Sequence, residues 1–558
     1  KIVNLCPDYS GKLYSGISGK HCFGIGGKHW LRTVVNFEVE YPIAATTMIV
    51  SSCSEDDSTD QPPGVFDGDS KTYQLQSRAD ASVSGTATVV ENEDGTATVN
   101  LKLTGTSAGS FPAHIHANSA AETGDILIDL NEVDGASGES TTIISATKAG
   151  TAITYEQILE LDAYINIHQS ANDLGTLIAQ GDIGVNEITA DSREYELKSA
   201  ADANISGTAT IHKRVSGASL LEISLEGTPA DGEHPAHIHM NSAAESGDIA
   251  ISLSPVVGAN GKSFTHIEED DAGTALNYEA LLELDGYINV HQSANELDVL
   301  VAQGDIGINV LTGDSKEFAL HSVLVPTING TATVHKRLSG ASLLEISLEG
   351  TPADGEHPAH IHANTAAEGG DIVISLNTVN GANGKSWTHI EADDDGTSVS
   401  YEQLLEFDGY INVHKSIAEL NVLVAQGDIG QNELTGNEVS YDLAAVSNAA
   451  IFGTATFSER VNKETLVTLE LVGTTAGGIH PAHIHTGAVA DAPGAVIVTL
   501  GNVIGDNGIS VTNVTQANSG GALDYDALLA IDGYINVHLS AEDLDTLVAR
   551  GNVGANLN

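Results

Sequence analysis

Along most of this chain, apolar and polar residues alternate in runs too short for helices. Leu220-Leu221-Glu222-Ile223-Ser224-Leu225-Glu226-Gly227 alternates with a period of two and ends at glycine, which predicts a half-buried strand. Matching strand starts occur at Tyr73-Gln74-Leu75, Tyr195-Glu196-Leu197, Phe318-Ala319-Leu320 and Tyr441-Asp442-Leu443. Each is followed by Gly-Thr-Ala-Thr, beginning at Gly85, Gly207, Gly330 and Gly453. Gly, Asn and Asp punctuate the short Val/Ile/Leu/Thr runs, the signature of an all-β chain. One short helix breaks the pattern. Thr154-Tyr155-Glu156-Gln157 and Ser400-Tyr401-Glu402-Gln403 have capping-box spacing, and Asn277 and Asp524 are N-cap residues at the same place. The helix should end by Leu161, Leu284, Phe407 or Ile531. Asp285-Gly286 then turns into a strand from Tyr287 to His291. The polar loop Ser293-Ala294-Asn295-Glu296 leads to a last strand, Val299 to Gly307.

The whole pattern repeats. His114-Ile115-His116, His237-Ile238-His239, His360-Ile361-His362 and His483-Ile484-His485 are spaced evenly, since 237 − 114, 360 − 237 and 483 − 360 all equal 123. A second motif keeps step: Tyr164-Ile165-Asn166-Ile167-His168, Tyr287-Ile288-Asn289-Val290-His291, Tyr410-Ile411-Asn412-Val413-His414 and Tyr534-Ile535-Asn536-Val537-His538. A period of 123 residues is the size of a domain with its own core and far longer than a solenoid turn. The organisation is a non-repeating leader over 1–68 and four repeats over 69–190, 191–313, 314–436 and 437–558. Many strands, one helical turn, then strands, with no βαβ alternation, predicts four tandem Greek-key β-sandwich domains, each with one short helix. The short stretch from Gly184 to Tyr195 leaves neighbouring repeats little linker freedom.

Net charge narrows the partners. With 22 Lys+Arg against 76 Asp+Glu, the chain carries −54, a field that repels nucleic acid and anionic membranes. Such a surface keeps a multidomain chain soluble. All three cysteines, Cys6, Cys22 and Cys53, precede the repeats, so the domains must be held by their cores rather than by disulfides. Cys6, His21, Cys22 and His29 lack the paired short spacing of a zinc site. The apolar run Ile43 to Val50, small residues, Cys53 and the acidic tract Ser54-Glu55-Asp56-Asp57 resemble a bacterial lipoprotein signal, although Glu38 and Glu40 stand where basic residues are usual. That resemblance implies lipidation at Cys53, with Ser54 to Asp69 as tether. Membrane attachment would come only through this lipid.

The histidines carry the candidate chemistry. Residues i and i+2 of a strand share a face, so His237 and His239 point together while Ile238 points to the core. Two imidazoles on one face are half of a metal site. The third candidate follows at 168 − 116 = 52, 291 − 239 = 52 and 414 − 362 = 52, with 538 − 485 = 53 in the fourth repeat. Candidate ligands are therefore His114, His116 and His168; His237, His239 and His291; His360, His362 and His414; and His483, His485 and His538. Imidazole ligation favours copper or zinc; no other cofactor is implied. The alternative duty for the same residues is structural, with the imidazoles bonded to backbone at a sheet end. His234, His357 and His480 are candidates for a fourth ligand, but Phe111 stands there in the first repeat. His212, His266, His335 and His389 occur only in the middle repeats and read as surface residues. The acidic runs at Glu268 to Asp271 and Asp393 to Asp395 read as solvated hairpin tips. No nucleophile elbow, phosphate loop or paired catalytic acid is present.

Pro-Ala-His-Ile-His, then Gly-Tyr-Ile-Asn-Val-His and a closing Ala-Gln-Gly-Asp-Ile-Gly, resemble the CHRD domain named from chordin, over residues 69–558. Where that family often has an arginine in the closing motif, only the fourth repeat does, at Arg550. A more distant similarity is to copper/zinc superoxide dismutase, whose His-x-His strand and late histidine supply copper ligands. His114, His116 and His168 and their equivalents match those positions. The disulfide cysteines, zinc-loop cluster and guiding arginine of that family have no counterpart here. The resemblance implies an extracellular or cell-surface binding or structural protein without catalysis, and the histidines offer the alternative of a transition-metal protein with one site per repeat. Its expected partners are an extracellular protein or glycan, or another copy of itself.

Overall fold

A computed structural model of the chain describes residues 66–78, 81–200 and 204–556, together with two short paired strands, Leu5–Pro7 and Leu13–Ser15. Phe66–Asn558 forms a compact unit of its own. Cys53 and the lipoprotein-like segment lie outside the described residues.

The first repeat shows how each is built. Its strands are β1 (Ser70–Ser77), β2 (Ser84–Glu91), β3 (Ala97–Thr104), β4 (Ser110–Ala117), β5 (Ile126–Asp134), β6 (Glu139–Ile144), β7 (Asp162–Ser170) and β8 (Asp173–Gly184). They lie in the order β8-β1-β2-β3-β6-β5-β4-β7, and β7 pairs back with β8 to close the ring. The second, third and fourth repeats form equivalent closed eight-stranded barrels. The all-β class and the four repeats appear as the pattern predicts. The two-sheet sandwich does not: the strands make one closed sheet. Closure rests on two narrow seams. β5 meets β6 only at Asp134↔Glu139, and β8 meets β1 only at Ala179↔Ser77 and Gln180↔Gln76. Seams this short leave no periodic trace, yet they remove the free edges that invite aggregation.

The alternation places every second residue inside. In β3, Ala97, Val99, Leu101 and Leu103 are buried in one apolar cluster with Ile115, Ile165 and Ile167, and each barrel has its own equivalent cluster. Burying a side chain such as Ile115 stabilises the fold by about 1.5–3 kcal/mol. The single helix, α1 (Tyr155–Leu159), starts at a capping box in which Thr154 and Gln157 satisfy each other's backbone N–H. Ser400 and Gln403 do the same, while Asn277 and Asp524 cap with the side chain alone. At five residues the helix is shorter than the apolar spacing suggests, because Asp162 already belongs to β7.

Successive barrels are coupled through stiff joints. The strand opening the second repeat starts at Ile188, leaving only residues 185–187 after Gly184. Those residues are themselves tied down: Val215 N–H donates to Glu187 O and Ser216 N–H to Val185 O, both at 2.9 Å. Arg214, wholly buried, donates from Nη1 to Asp182 Oδ2 at 2.9 Å and to Asn186 O. Asp182 also accepts from Ala120 N–H at 2.8 Å. Arg337 with Asp305, and Arg460 with Asp428, repeat the arrangement. Among the described residues, no helix is long and apolar enough to cross a membrane.

Candidate metal centre

β4 lies between β5 and β7, with His114 opposite Asn166, Ile115 opposite Ile165 and His116 opposite Tyr164. Ile115 is fully buried in the barrel, so His114 and His116 face outward, as the period of two requires. His168 follows on the same outer face of β7, four residues after Tyr164. One potential ligand atom from each of His114, His116 and His168 lies within 4.8 Å of the others, and the same holds for His237/His239/His291, His360/His362/His414 and His483/His485/His538. The structure thus gathers all twelve histidines of the two motifs into four clusters.

The hydrogen bonds around the cluster decide which nitrogens are free. His116 Nδ1 lies 2.9 Å from Gly124 O, and His168 Nδ1 lies 2.7 Å from Leu174 O. A carbonyl only accepts, so each Nδ1 carries the proton and each Nε2 keeps its lone pair. Both lone pairs belong to the cluster. His116 Nε2 is buried with no hydrogen-bond partner, as are His239 Nε2, His362 Nε2 and His485 Nε2. A buried acceptor without a partner costs roughly 1–3 kcal/mol, and a cation at the cluster would relieve it in all four repeats. His114 Nδ1 stands 3.1 Å from His168 Nε2, with 3.2, 3.2 and 3.1 Å in the later repeats. Both nitrogens are close enough to reach one ion at about 2.0–2.1 Å. Backbone carbonyls holding the far nitrogen of two ligands are the outer support that orients metal-binding imidazoles. The donor set, three imidazoles, fits copper or zinc and does not suit calcium.

Burial, with help from the neighbouring imidazoles, pushes His114 below its ordinary pKa. Burial also lowers His168, against the opposing pull of the Leu174 carbonyl. The equivalent pairs in the other repeats move the same way. These histidines are therefore neutral at neutral pH and hold lone pairs ready for a cation.

The rest of the second motif supports the cluster. The Tyr164 ring stacks on His116 at a centroid distance of 5.1 Å, and its hydroxyl accepts from Gly124 N–H at 3.1 Å. Gly124 then offers the carbonyl that holds His116. Asn166 Oδ1 accepts from Gln180 Nε2 at 2.8 Å, fixing β7 to β8 below the histidines. Gly124 was not singled out from the sequence, although a glycine recurs eight residues after the second histidine in three repeats, at Gly124, Gly247 and Gly370. In the fourth it is nine, at Gly494, so the one-residue insertion falls in this loop.

Two expectations are corrected. His234, His357 and His480 are not fourth ligands: they are buried on the core side with Ala236 and its equivalents, as the odd spacing of three from His237, His360 and His483 requires. His234 Nδ1 instead contacts the backbone carbonyl of His291 at 3.2 Å. Phe111 fills this position in the first repeat, as an interior site allows. His266 and His389 are not surface residues, with side chains only 9% and 6% exposed. His212 and His335 are half-buried beside Glu222 and Glu345. The acidic runs do form turns, with Asp270 Oδ1 accepting from Ala272 and Thr274 N–H groups. Asp271 leaves its turn to bond Ser252, beside His237.

Comparison with known proteins bears on the first barrel. Residues 70–179 match the model of the CHRD domain family. No curated protein matches the chain. Among solved structures, the crystal structure of a tetra-tandem repeat in the extending region of a large adhesion protein is 13% identical, covers 83% of this chain and 96% of that one, and superposes with a TM-score of 0.11. The chain is a tandem-repeat protein whose first barrel is similar to the CHRD domain family over residues 70–179.

Proposed function

We propose that this chain is a non-catalytic binding protein, each barrel of which holds one copper or zinc ion through His-x-His and the later histidine of the Tyr-Ile-Asn-x-His strand. The observation that carries this reading is the buried, unpartnered Nε2 of His116, His239, His362 and His485, facing two further imidazoles in every repeat. Such an ion would supply a fixed cross-link between β4 and β7 and a surface-held positive charge. The protein's part is to hold two of the imidazoles by backbone carbonyls and to keep hydrogen-bond donors away from His116 Nε2 and its equivalents. The lack of a nucleophile motif or paired acids in the sequence supports binding rather than turnover.

A second reading draws on the joints and the charge. Stiffly coupled barrels carrying −54 overall suit a surface protein that presents several weak sites to an extracellular protein or glycan, where repetition raises effective concentration. Cys53, behind its apolar run, supports attachment of such a protein to a bacterial surface through lipid. The two readings are compatible, since metal-bearing repeats can be displayed.

Elemental analysis of the untagged chain tests the metal reading. Near one copper or zinc per repeat is expected, with one equivalent lost in His237→Ala/His239→Ala. No metal in a chain that remains folded would remove the metal role and leave the surface-binding reading alone.

A further inference from the structure

The four histidine clusters share their ligands but differ in what stands beside the first histidine. In the second repeat, Ser252 is the cross-strand partner of His237. Asp271 accepts from Ser252 N–H at 2.9 Å and from its Oγ at 2.8 Å, which places a carboxylate on the residue facing that imidazole, beyond direct hydrogen-bond reach of it. Ser375 and Asp394 repeat this beside His360, at the same two distances. In the first repeat the acid is moved onto the ladder itself. Asp129 is opposite His114, with Oδ1 3.9 Å from His114 Nε2, but Lys148 Nζ also lies 2.8 Å from that oxygen. The fourth repeat has no charge there: Thr499 is opposite His483, and Asn518 accepts from Thr499 N–H at 3.1 Å while donating to its Oγ1 at 2.9 Å. Lys148, Asp271, Asp394 and Asn518 are structurally equivalent, each donating its N–H to the neighbouring strand, at Leu127, Ala250, Val373 and Ile497.

This difference acts on the ligand through its tautomer. A histidine that binds an ion through Nδ1 must carry its proton on Nε2. An uncompensated negative charge on that side of the ring favours this form, in the same direction as a hydrogen-bonded carboxylate but less strongly. A lysine sharing the carboxylate weakens the effect, and an amide supplies no charge. Asp271 and Asp394 act electrostatically on His237 and His360, whereas no carboxylate does so on His483.

We infer that Asp129 with Lys148, Asp271, Asp394 and Asn518 grade the four sites, so that the second and third repeats hold a transition-metal ion most tightly, the first less so and the fourth least. This rests on the three-histidine reading above and deepens it: the chain would fill in order rather than all at once. Hydrogen-bonded outer-shell partners of metal-bound histidines are worth about 10–100-fold in affinity; acting from one residue further away, these carboxylates should set the middle repeats above the fourth by up to about 10-fold.

Zinc competition against a chromogenic chelator, with the full chain, tests the grading. Two equivalents should be withheld from the chelator more strongly than the rest. Asp271→Asn with Asp394→Asn should bring those two down to the level of the fourth site. Asn518→Asp should add a third tight equivalent. The amide at position 518 already makes the bonds that Asp271 makes, so the asparagine variants keep their turn. Four indistinguishable equivalents, unmoved by either change, would overturn the grading while leaving the metal reading intact. Zero zinc uptake by the unaltered chain would overturn both.

Discussion

Arg337 Nη1 stands 2.8 Å from Asp305 Oδ2, across the joint between the second and third barrels, with the arginine fully buried. The two residues are 32 apart, and the same pairing joins Arg214 to Asp182 and Arg460 to Asp428. The position equivalent to Arg214 in the first repeat is the neutral Asn92, and that equivalent to Asp182 in the fourth is the neutral Asn552. Asn552 keeps the backbone bond that Asp182 makes, to Val489 N–H at 2.8 Å. Charge is thus present where a partner faces it. The joint depends on it because removing one member of a buried pair leaves the other desolvated and uncompensated.

Arg337→Met is therefore expected to destabilise the array by about 3–5 kcal/mol, and Arg337→Met with Asp305→Leu by clearly less. Denaturant unfolding followed by hydrogen exchange at residues 308–310 would show it. A single variant as stable as the parent would mean that the pair does not hold the joint.

The pH dependence separates two sets of groups. Burial holds His114, His168 and their equivalents below the ordinary value of 6.5. As pH falls, the unfolded chain takes up these protons first, so stability is full above 6.5 and declines as pH drops towards the depressed folded values. Glu222 is held down to about 2 from 4.5 by the His212 hydrogen bond and Lys262. Its contribution persists above 4.5 and is lost between 4.5 and about 2. Metal-free chain should lose stability in two stages, the first opening as pH drops below 6.5 and the second as it drops below 4.5. An unfolding midpoint flat across that first window would contradict the neutral, buried state of the histidines.

What the sequence made legible was local. His114 and His116 share a face because strands have a period of two, and Thr154 caps a helix because Gln157 stands three residues on. What it hid depends on distant contacts. Arg214 follows Lys213 and looks like another surface cation until Asp182 is brought to it. Closure of the barrel rests on two-residue and one-residue seams, too short for any pattern to mark. The inward position of His234 was itself legible, because it lies three residues before His237 and that odd spacing puts it on the core face with Ala236 and Ile238.

The closing Gln-Gly-Asp-Ile-Gly motif is explained by packing. Gly307 has φ +59°, and a Cβ there would meet Leu284 O at 1.9 Å. Gly184 and Gly430 meet Leu161 O and Phe407 O in the same way. Gly307→Ala combines a left-handed conformation, costing about 1–2 kcal/mol, with a backbone collision. It should lower the unfolding midpoint more than Gly313→Ala, where φ is +95° but nothing lies within 4 Å. Equal effects would show that close approach does not matter at the end of the barrel strand.

His234→Phe separates the core histidine from the cluster. Phe111 already occupies the equivalent place in the first repeat, only 5% exposed, so the barrel accepts an aromatic ring there. The imidazole contributes one bond to the His291 carbonyl and leaves Nε2 buried without a partner. Replacing it should leave stability unchanged or raised, since an unpartnered buried nitrogen is removed. Zinc at about 100 times its dissociation constant should stabilise the barrel by about 2.7 kcal/mol, and His234→Phe should keep that increment while His239→Ala abolishes it. Thermal unfolding with and without zinc reads both effects. If His234→Phe lost the zinc increment while His239→Ala kept it, the ligand set would have to be redrawn around the core side of the strand.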